Sequence, residues 1–362
     1  MEKFFNTAGP MKRDMNYYIS SFDRFNYDDI ENLIHKERYF VLHAPRQTGK
    51  TSALFEMMER INSEGRYDCL YANIESAQAS RSDVTRGIRT ICESIASAAF
   101  IYLKNDTLKK WVLEYKHKVE AEKLLFELLQ YWTINNPKPI VLFIDEVDAL
   151  VGDTLISLLR QIRTGYNQRP NAFPQSIVLC GVRDVRDYRI HTKDNEIITG
   201  GSAFNIKAKS LTLDNFTYDE SKKLLLQHTI ETGQKFEEKI FDKLWSDTKG
   251  QPWLVNALAS EMTWENKTLR NDRARVIMLE DYKAAREVLI HSRATHLDQL
   301  IDKLQEPRVK RVIIPILANK SSEESDFSDR DLEYVSDLGL ITRRPSVAIS
   351  NDIYRESIPR EL

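Results

Sequence analysis

Apolar residues follow two patterns along this chain. Four short runs are apolar almost throughout, as is typical of strands covered on both faces of a parallel sheet, and a fifth run alternates apolar and polar residues. Between these runs, apolar residues recur three and four positions apart, which indicates helices. The predicted strands are Tyr39–His43, Cys69–Ile74, Ile140–Ile144, Ser176–Gly181 and Lys209–Leu213. The alternation predicts an α/β fold in which helices cover both faces of a parallel sheet.

Two segments of the N-terminal half lie outside this simple alternation. Residues 80–133 exceed the length that one crossover between neighbouring strands needs. Their helical spacing and scarcity of glycine and proline predict two or three inserted helices. Residues 1–38 contain several aromatic side chains and a predicted helix near 27–36. The sheet domain with its insertion is therefore assigned to residues 39–215.

The C-terminal half is mostly helical in pattern. Thr217 and Glu220 have capping-box spacing, which predicts a helix over residues 221–228. The tripeptide Gly250-Gln251-Pro252 ends one helix and begins the next, which is predicted over residues 253–264. We expect residues 216–289 to form a small helical domain.

Residues 290–362 are predicted to form a separate module. Its expected elements are helices near 297–304, 309–317 and 328–338, followed by strands at 340–342 and 347–349. Helices followed by a β-hairpin predict a winged helix.

The first candidate site is the segment Ala44–Thr51, APRQTGKT, which joins a predicted strand to a predicted helix. In that setting the spacing is typical of a phosphate-binding loop, whose N–H groups hold the phosphates of a nucleotide. Lys50 is expected to reach the β- and γ-phosphates, and the Thr51 hydroxyl to bind Mg²⁺. The predicted nucleotide-binding residues are Pro45, Arg46, Gln47, Thr48, Gly49, Lys50, Thr51 and Ser52. The alternative interpretation is a chance match in a surface loop. The motif also departs from the usual pattern at its first position, where Ala44 replaces a glycine.

The second candidate site follows the strand Ile140–Ile144, which ends in Asp145 and Glu146. Burying unpaired carboxylates is costly, so they are poor choices for packing alone. Beside a phosphate-binding loop, Asp145 is expected to hold Mg²⁺, and Glu146 to orient and deprotonate the attacking water. If this motif stood alone, without the phosphate-binding loop, a solvated turn after a core strand would be the better interpretation.

Arginines supply the remaining catalytic candidates. Arg183 follows the strand Ser176–Gly181, whose exit should lie at the same sheet edge, so it is a candidate contact for the γ-phosphate. An ordinary surface arginine is nearly as good an interpretation. Arg160, Arg163 and Arg169 are candidates for an arginine finger if subunits pack side by side, although a solvated basic face is the better interpretation.

Composition excludes several classes of protein. The 362 residues have a formal net charge of −2, so global charge favours no nucleic-acid or anionic-membrane partner. Three cysteines without metal-ligand spacing are expected to be reduced, buried thiols of a cytoplasmic protein. The sequence has no signal-peptide pattern and no apolar run of bilayer length.

Seven motifs resemble the AAA+-related signal-transduction ATPases of the STAND type, and within them the archaeal-type, AAA-like branch of prokaryotes. They are Phe4–Pro10, Tyr39–Thr51, Val141–Leu150, Cys180–Asp184, Leu211–Thr217, Gly250–Ala259 and Ile353–Leu362. The resemblance implies ATP or ADP with Mg²⁺ as ligands. It also implies that residues 216–289 form a lid whose Pro252 contacts the nucleotide. Residues 1–38 would fold over its base.

We therefore expect an ATP-binding, slowly ATP-hydrolysing switch, in which lid and winged helix rearrange to control a protein partner or self-association. One alternative is a DNA-binding, initiator-like ATPase, and another is a nucleotide-locked scaffold without turnover. The segment from Glu323 to Asp337 contains seven acidic residues and one arginine, so the presumed recognition helix should repel DNA. Any DNA binding is expected to be sequence-independent, through Arg308, Lys310, Arg311, Arg343 and Arg344.

Overall fold

The structure is a computed structural model that describes residues 2–183, 189–191, 197–199, 205–291, 303–318 and 323–360. The chain forms two compact units. Phe25–His43 and Lys50–Leu213 make up one, here called the sheet unit. Met1–Arg24, Ala44–Gly49 and Asp214–Leu362 make up the other, the helical unit. The four-segment division expected from the sequence remains a prediction.

The sheet unit contains the predicted parallel sheet. Its strands are β1 Tyr39–His43, β2 Asp68–Asn73, β3 Ile140–Asp145, β4 Ser176–Gly181 and β7 Lys207–Thr212. They lie in the order β2-β3-β4-β1-β7. An antiparallel hairpin, β5 Arg189–His191 and β6 Ile197–Thr199, was not predicted from the sequence. The sequence prediction placed the start of β7 two residues late, because Lys207 lies outside the apolar pattern. Lysines are common on edge strands, which β7 is.

Helices cover the sheet on both faces. They are α1 Tyr27–His35, α2 Lys50–Glu64, α3 Val84–Tyr102, α4 Thr107–Tyr115, α5 Ala121–Asn135 and α6 Gly152–Thr164. The insertion predicted at residues 80–133 thus contains the three helices α3 to α5. Alternate strand residues, such as Leu70 and Leu142, join α3, α5 and α6 in one buried core. The other residues of these strands, such as Tyr71 and Asp145, face the opposite side of the sheet.

The helical unit has its own apolar core. Its elements are α7 Tyr218–Thr232, α8 Lys239–Thr248, α9 Pro252–Ser260, α10 Lys267–Asn271, α11 Leu279–His291, α12 Pro307–Leu317, α13 Asp329–Asp337, β8 Ile341–Thr342, β9 Ala348–Ile349 and α14 Asp352–Ser357. A π-helical turn, Glu261–Glu265, extends α9. Buried Phe5 and Tyr17 of the N-terminal segment belong to the same core as Leu254 and Ile353.

Local signals fixed several of these boundaries. The predicted capping box is present, because the Thr217 hydroxyl accepts from the Glu220 N–H and the Glu220 carboxylate accepts from the Thr217 N–H. Pro252 begins α9, as its missing N–H allows. The helix predicted at residues 297–304 falls mostly outside the described residues. Helices α12 and α13 and the antiparallel β8–β9 hairpin follow in the predicted order, and the winged helix itself remains a prediction.

All three cysteines are buried and free. No helix in the described ranges combines the length and apolar character needed to cross a membrane.

Candidate active site

The sheet unit places the first two functional candidates in direct contact. Lys50 and Thr51 begin α2, and the Thr51 hydroxyl donates a hydrogen bond of 2.9 Å to Asp145 Oδ2 at the end of β3. Asp145 is completely buried. Because the hydroxyl proton is directed at this carboxylate, the lone pairs of the Thr51 oxygen remain available to a cation.

Two further donors hold the Asp145 carboxylate. The Tyr71 hydroxyl donates to Oδ2 over 3.0 Å, and the N–H of Glu146 donates to Oδ1 over 2.9 Å. Sequence reasoning missed Tyr71. Strand register was the only signal that could have identified it, since Asn73 pairs with Asp145 and Tyr71 lies two residues earlier on the same face.

Glu146 has an unusual backbone conformation. Its φ of 61° and ψ of 38° lie in the left-handed region, which non-glycine residues adopt rarely and often at functional sites. Burial raises the pKa of its carboxyl to about 7, with smaller contributions from Asp148 and Asp145, while Lys50 opposes the shift. The turn is anchored because Asp148 accepts a hydrogen bond of 3.2 Å from the Val182 N–H.

Strand β4 lies between β1 and β3, so its carboxyl end is adjacent to Asp145 in the sheet. The half-buried Arg183 follows two residues after this strand. Arg160 and Arg163 are exposed on α6. Arg169 instead packs its guanidinium on the Tyr166 ring and donates to backbone oxygens of Glu37 and Tyr166.

The loop Ala44–Gly49 belongs to the helical unit. Its backbone turns through positive φ at Gln47 (58°) and Gly49 (91°), and the Thr48 hydroxyl donates to the Pro45 carbonyl over 2.8 Å. Glycine adopts such a φ without steric cost, which explains its presence at position 49. Along the chain, Pro45, Arg46, Gln47, Thr48 and Gly49 form this loop, and Lys50, Thr51 and Ser52 begin α2.

Arg24 of the N-terminal segment lies against this loop. Its Nη1 is 3.3 Å from the position that a Cβ on Gly49 would occupy. Its Nε donates to the Asp214 carbonyl over 3.0 Å, Nη2 contacts the same oxygen, and the guanidinium lies 5.0 Å from the Phe216 ring centroid. Burial lowers the pKa of Arg24 to about 10. Sequence reasoning missed this residue, because an isolated arginine has no diagnostic spacing.

Two other segments of the helical unit reach the same loop. The Gln251 side chain donates to the Gln47 carbonyl at 3.5 Å and accepts from the Leu254 N–H at 2.6 Å, so it also caps α9. Pro252, the predicted nucleotide contact, is the residue after Gln251. At Gly339, between α13 and β8, a Cβ would lie 2.8 Å from Pro45 Cβ.

The residues present fit a Mg²⁺-nucleotide. Thr51 and Asp145 supply hydroxyl and carboxylate oxygens, the ligand chemistry that Mg²⁺ prefers. Lys50, which begins α2 beside Thr51, supplies positive charge for phosphates. The left-handed turn at Gln47 and Gly49 is the kind of backbone that forms anion-binding concavities.

Solved structures share this fold. A Walker-type ATPase of Pyrococcus abyssi is similar with a TM-score of 0.63, at 15% identity, over 98% of this chain and 99% of that chain. The ORC2 protein of Aeropyrum pernix, solved in ADPNP-ADP complexes, is similar with a TM-score of 0.52, at 13% identity, over 95% of each chain. This chain therefore shares its fold with a Walker-type ATPase and with an ORC2 protein.

The sequence itself is matched by the model of one family, the AAA-like domain, over residues 6–358. This match covers nearly the whole chain, and the chain belongs to that family. A search of curated proteins finds no matching relative.

Proposed function

We propose that this protein is an ATP-dependent switch of the STAND type, which binds ATP with Mg²⁺ and hydrolyses it slowly. The ATP- and ADP-bound states would differ in the arrangement of the lid and of a C-terminal winged helix. That difference would control a protein partner or self-association. The buried, free cysteines suit a reducing compartment such as the cytoplasm.

The observation that supports a switch most directly lies at the loop Ala44–Gly49. Arg24 of the N-terminal segment, Gln251 at the start of α9 and Gly339 beside the hairpin all reach this loop. A ligand that reorders the loop would therefore alter contacts with three separated segments of the helical unit. A ligand shifts the population between two arrangements of a protein only if it contacts the two arrangements differently.

The proposed chemistry divides among a few side chains. Lys50 and the loop N–H groups would bind phosphates, and Thr51 and Asp145 would hold Mg²⁺, which neutralises charge on the transferred phosphoryl group. Glu146 would take the proton of the attacking water, and Arg183 would stabilise charge on the γ-phosphate. Arg24 and Pro252 would contact the nucleotide from the N-terminal segment and the lid. The chain also resembles in fold the ORC2 protein solved with ADPNP and ADP.

The DNA-binding alternative loses support from the C-terminal charges. Arg311 pairs with Asp331 and Arg343 pairs with Glu324, each at 2.8 Å. Arg308 is 3.5 Å from Glu306 and also packs against the Tyr334 ring. Because carboxylates already pair with Arg308, Arg311 and Arg343, less positive charge is available to displace counterions from DNA.

Anisotropy with a random duplex, measured across a salt series, tests this point. We expect weak binding that disappears as salt rises, and less binding still when Arg343 and Arg344 are changed to Glu. Sequence-selective binding at physiological salt would favour the initiator-like function instead.

Nucleotide binding is the first test of the proposed function. ATP with Mg²⁺ should raise the thermal midpoint of the wild type, and Lys50→Ala should abolish this increase because it removes a point charge on the phosphates. Lys36→Ala is the control. It removes the charge of a lysine that lies just after α1, and the variant should respond like the wild type. An increase that survives Lys50→Ala would place the nucleotide elsewhere. Binding without any turnover would leave the nucleotide-locked scaffold.

A further inference from the structure

We propose that Tyr71 is a positioning residue for the metal end of this site, because it fixes the orientation in which Asp145 faces a nucleotide-bound Mg²⁺. The inference rests on the proposed function, since it assigns a role within the same site. Neither the motif that contains Asp145 nor the phosphate-binding loop includes this tyrosine.

Strand register brings Tyr71 to Asp145. Strands β2 and β3 are parallel, with Asn73 opposite Asp145 and Tyr71 opposite Phe143. Side chains alternate between the two faces of a sheet, so Tyr71 and Asp145 share a face. A tyrosine is long enough to lean along the strand and donate to Asp145 Oδ2 over 3.0 Å.

The Tyr71 ring is held in place by its surroundings. It is 5% exposed and packs on Phe55 of α2 with ring centroids 4.5 Å apart, and on Tyr102 of α3 with centroids 6.3 Å apart. Phe55 is one helical turn beyond Thr51, on the same helix. The two donors to Asp145 Oδ2 are therefore fixed by one packed group of residues from α2 and β2.

Two donors on one oxygen have a definite consequence. A carboxylate oxygen has two lone pairs, and at Oδ2 these accept from Thr51 and Tyr71. Oδ1 accepts from the Glu146 N–H. Without Tyr71, Oδ2 loses one of its hydrogen-bond donors and the carboxylate is freer to rotate, since its terminal torsion has a broad minimum. Groups that orient metal ligands typically contribute 10- to 100-fold to metal affinity, as an order of magnitude.

The test compares Tyr71→Phe with Tyr102→Phe in the full chain. Both remove one phenolic oxygen from the same aromatic group, but the described residues provide no hydrogen-bond partner for the Tyr102 hydroxyl. The readout is the binding of a fluorescent ADP analogue, first in EDTA and then across a Mg²⁺ titration. We expect Tyr71→Phe to raise the Mg²⁺ concentration at half-saturation about tenfold, with unchanged affinity in EDTA. Tyr102→Phe should match the wild type in both conditions.

A double-mutant cycle with Asp145→Asn separates positioning from packing. If Tyr71 acts through the Asp145 carboxylate, Tyr71→Phe should have no further effect on the Mg²⁺ dependence when it is added to Asp145→Asn. An unchanged Mg²⁺ dependence in Tyr71→Phe, or an equal loss of affinity in EDTA, would overturn the inference while leaving the proposed function intact. Failure of the wild type to bind nucleotide, or binding that does not need Lys50, would instead overturn the proposed function.

Discussion

Gly339 leaves no room for a side chain against Pro45. A Cβ on Gly339 would lie 2.8 Å from Pro45 Cβ and 3.0 Å from Pro45 Cγ. The turn is fixed from its other side, because the Ser350 hydroxyl donates to the Gly339 carbonyl over 2.6 Å. The segment between α13 and β8 therefore bears directly on the loop that we propose binds phosphates.

Gly339→Ala should destabilise the protein by more than backbone strain alone. Gly233 has nearly the same φ, 79° against 77°, but nothing within 4 Å of a Cβ, so Gly233→Ala measures the backbone cost by itself. We expect about 1–2 kcal/mol for Gly233→Ala. Gly339→Ala should cost about 1–3 kcal/mol more in the free energy of unfolding, since it also overpacks the contact with Pro45. Denaturant unfolding of both variants measures the difference.

A Pro45→Gly background isolates the contact, since it removes the atoms that a Cβ at position 339 would meet. The additional cost of Gly339→Ala should then disappear, while the cost of Gly233→Ala remains. Equal costs for the two alanine variants in the wild-type background would show that the segment yields freely and does not press on the loop.

Glu146→Gln should separate nucleotide binding from hydrolysis. The amide keeps the shape of the side chain but cannot accept a proton from water, so we expect turnover to fall about 10²- to 10⁴-fold with ATP affinity retained. Glu75→Gln is the matched control, because this carboxylate is exposed and follows a different strand, β2. Single-turnover hydrolysis and equilibrium binding provide the two measurements. Wild-type turnover in Glu146→Gln would show that Glu146 is not the base.

Arg24→Ala should weaken nucleotide binding without affecting folding elsewhere. A hydrogen bond to a charged group is worth about 1.5–3 kcal/mol, so the dissociation constant should rise about 10- to 100-fold. Arg24→Lys should restore little of this affinity, because a single ammonium group cannot replace the forked guanidinium, which also donates to the Asp214 carbonyl. Arg13→Ala is the control, since Arg13 also lies over an aromatic ring of the N-terminal segment, that of Tyr18. Equal losses in both alanine variants would indicate a general effect of N-terminal packing.

The sheet, and with it the candidate residues at the ends of its strands, could be predicted from the sequence. Strands buried on both faces leave continuous apolar runs. Asp145 and Glu146 stood out because carboxylates rarely end such a run without a partner. Tyr71, Arg24 and Gly339 were not predictable in the same way. Each matters through a neighbour distant in sequence, and Tyr71 required the register of β2 against β3. Lys207 had the opposite effect, because a charged residue at the start of β7 obscured where the strand begins.

The last prediction concerns His228, a buried residue of α7. Its Nε2 lies 3.0 Å from Gln234 Oε1, and Nδ1 lies 3.3 Å from the Tyr17 hydroxyl. The Gln234 amide nitrogen already donates to backbone carbonyls such as that of Leu269, so Oε1 is the acceptor and Nε2 carries the proton. This arrangement suits a neutral ring.

Burial lowers the pKa of His228 below 6.5, and Arg273 acts in the same direction, while the hydrogen bond to Gln234 and the charges of Glu2 and Glu231 oppose the shift. The unfolded chain therefore binds the proton more tightly than the folded protein does. The stability contributed by the neutral ring is complete above pH 6.5 and is lost as the pH falls from there through the folded pKa. The free energy of unfolding should decrease over this window. In His228→Gln, which keeps a hydrogen-bonding side chain, stability should be lower at about pH 7.5 but fall less on acidification.

Denaturant unfolding at a series of pH values between about 7.5 and 5 gives the required slopes. His35→Gln is the control, because it makes the same substitution at an exposed histidine at the end of α1. The informative quantity is the difference in slope between wild type and His228→Gln, which cancels the titration of all other groups. If the two slopes coincide, His228 binds its proton as readily in the folded protein as in the unfolded chain. The assignment of a neutral, hydrogen-bonded ring is then wrong.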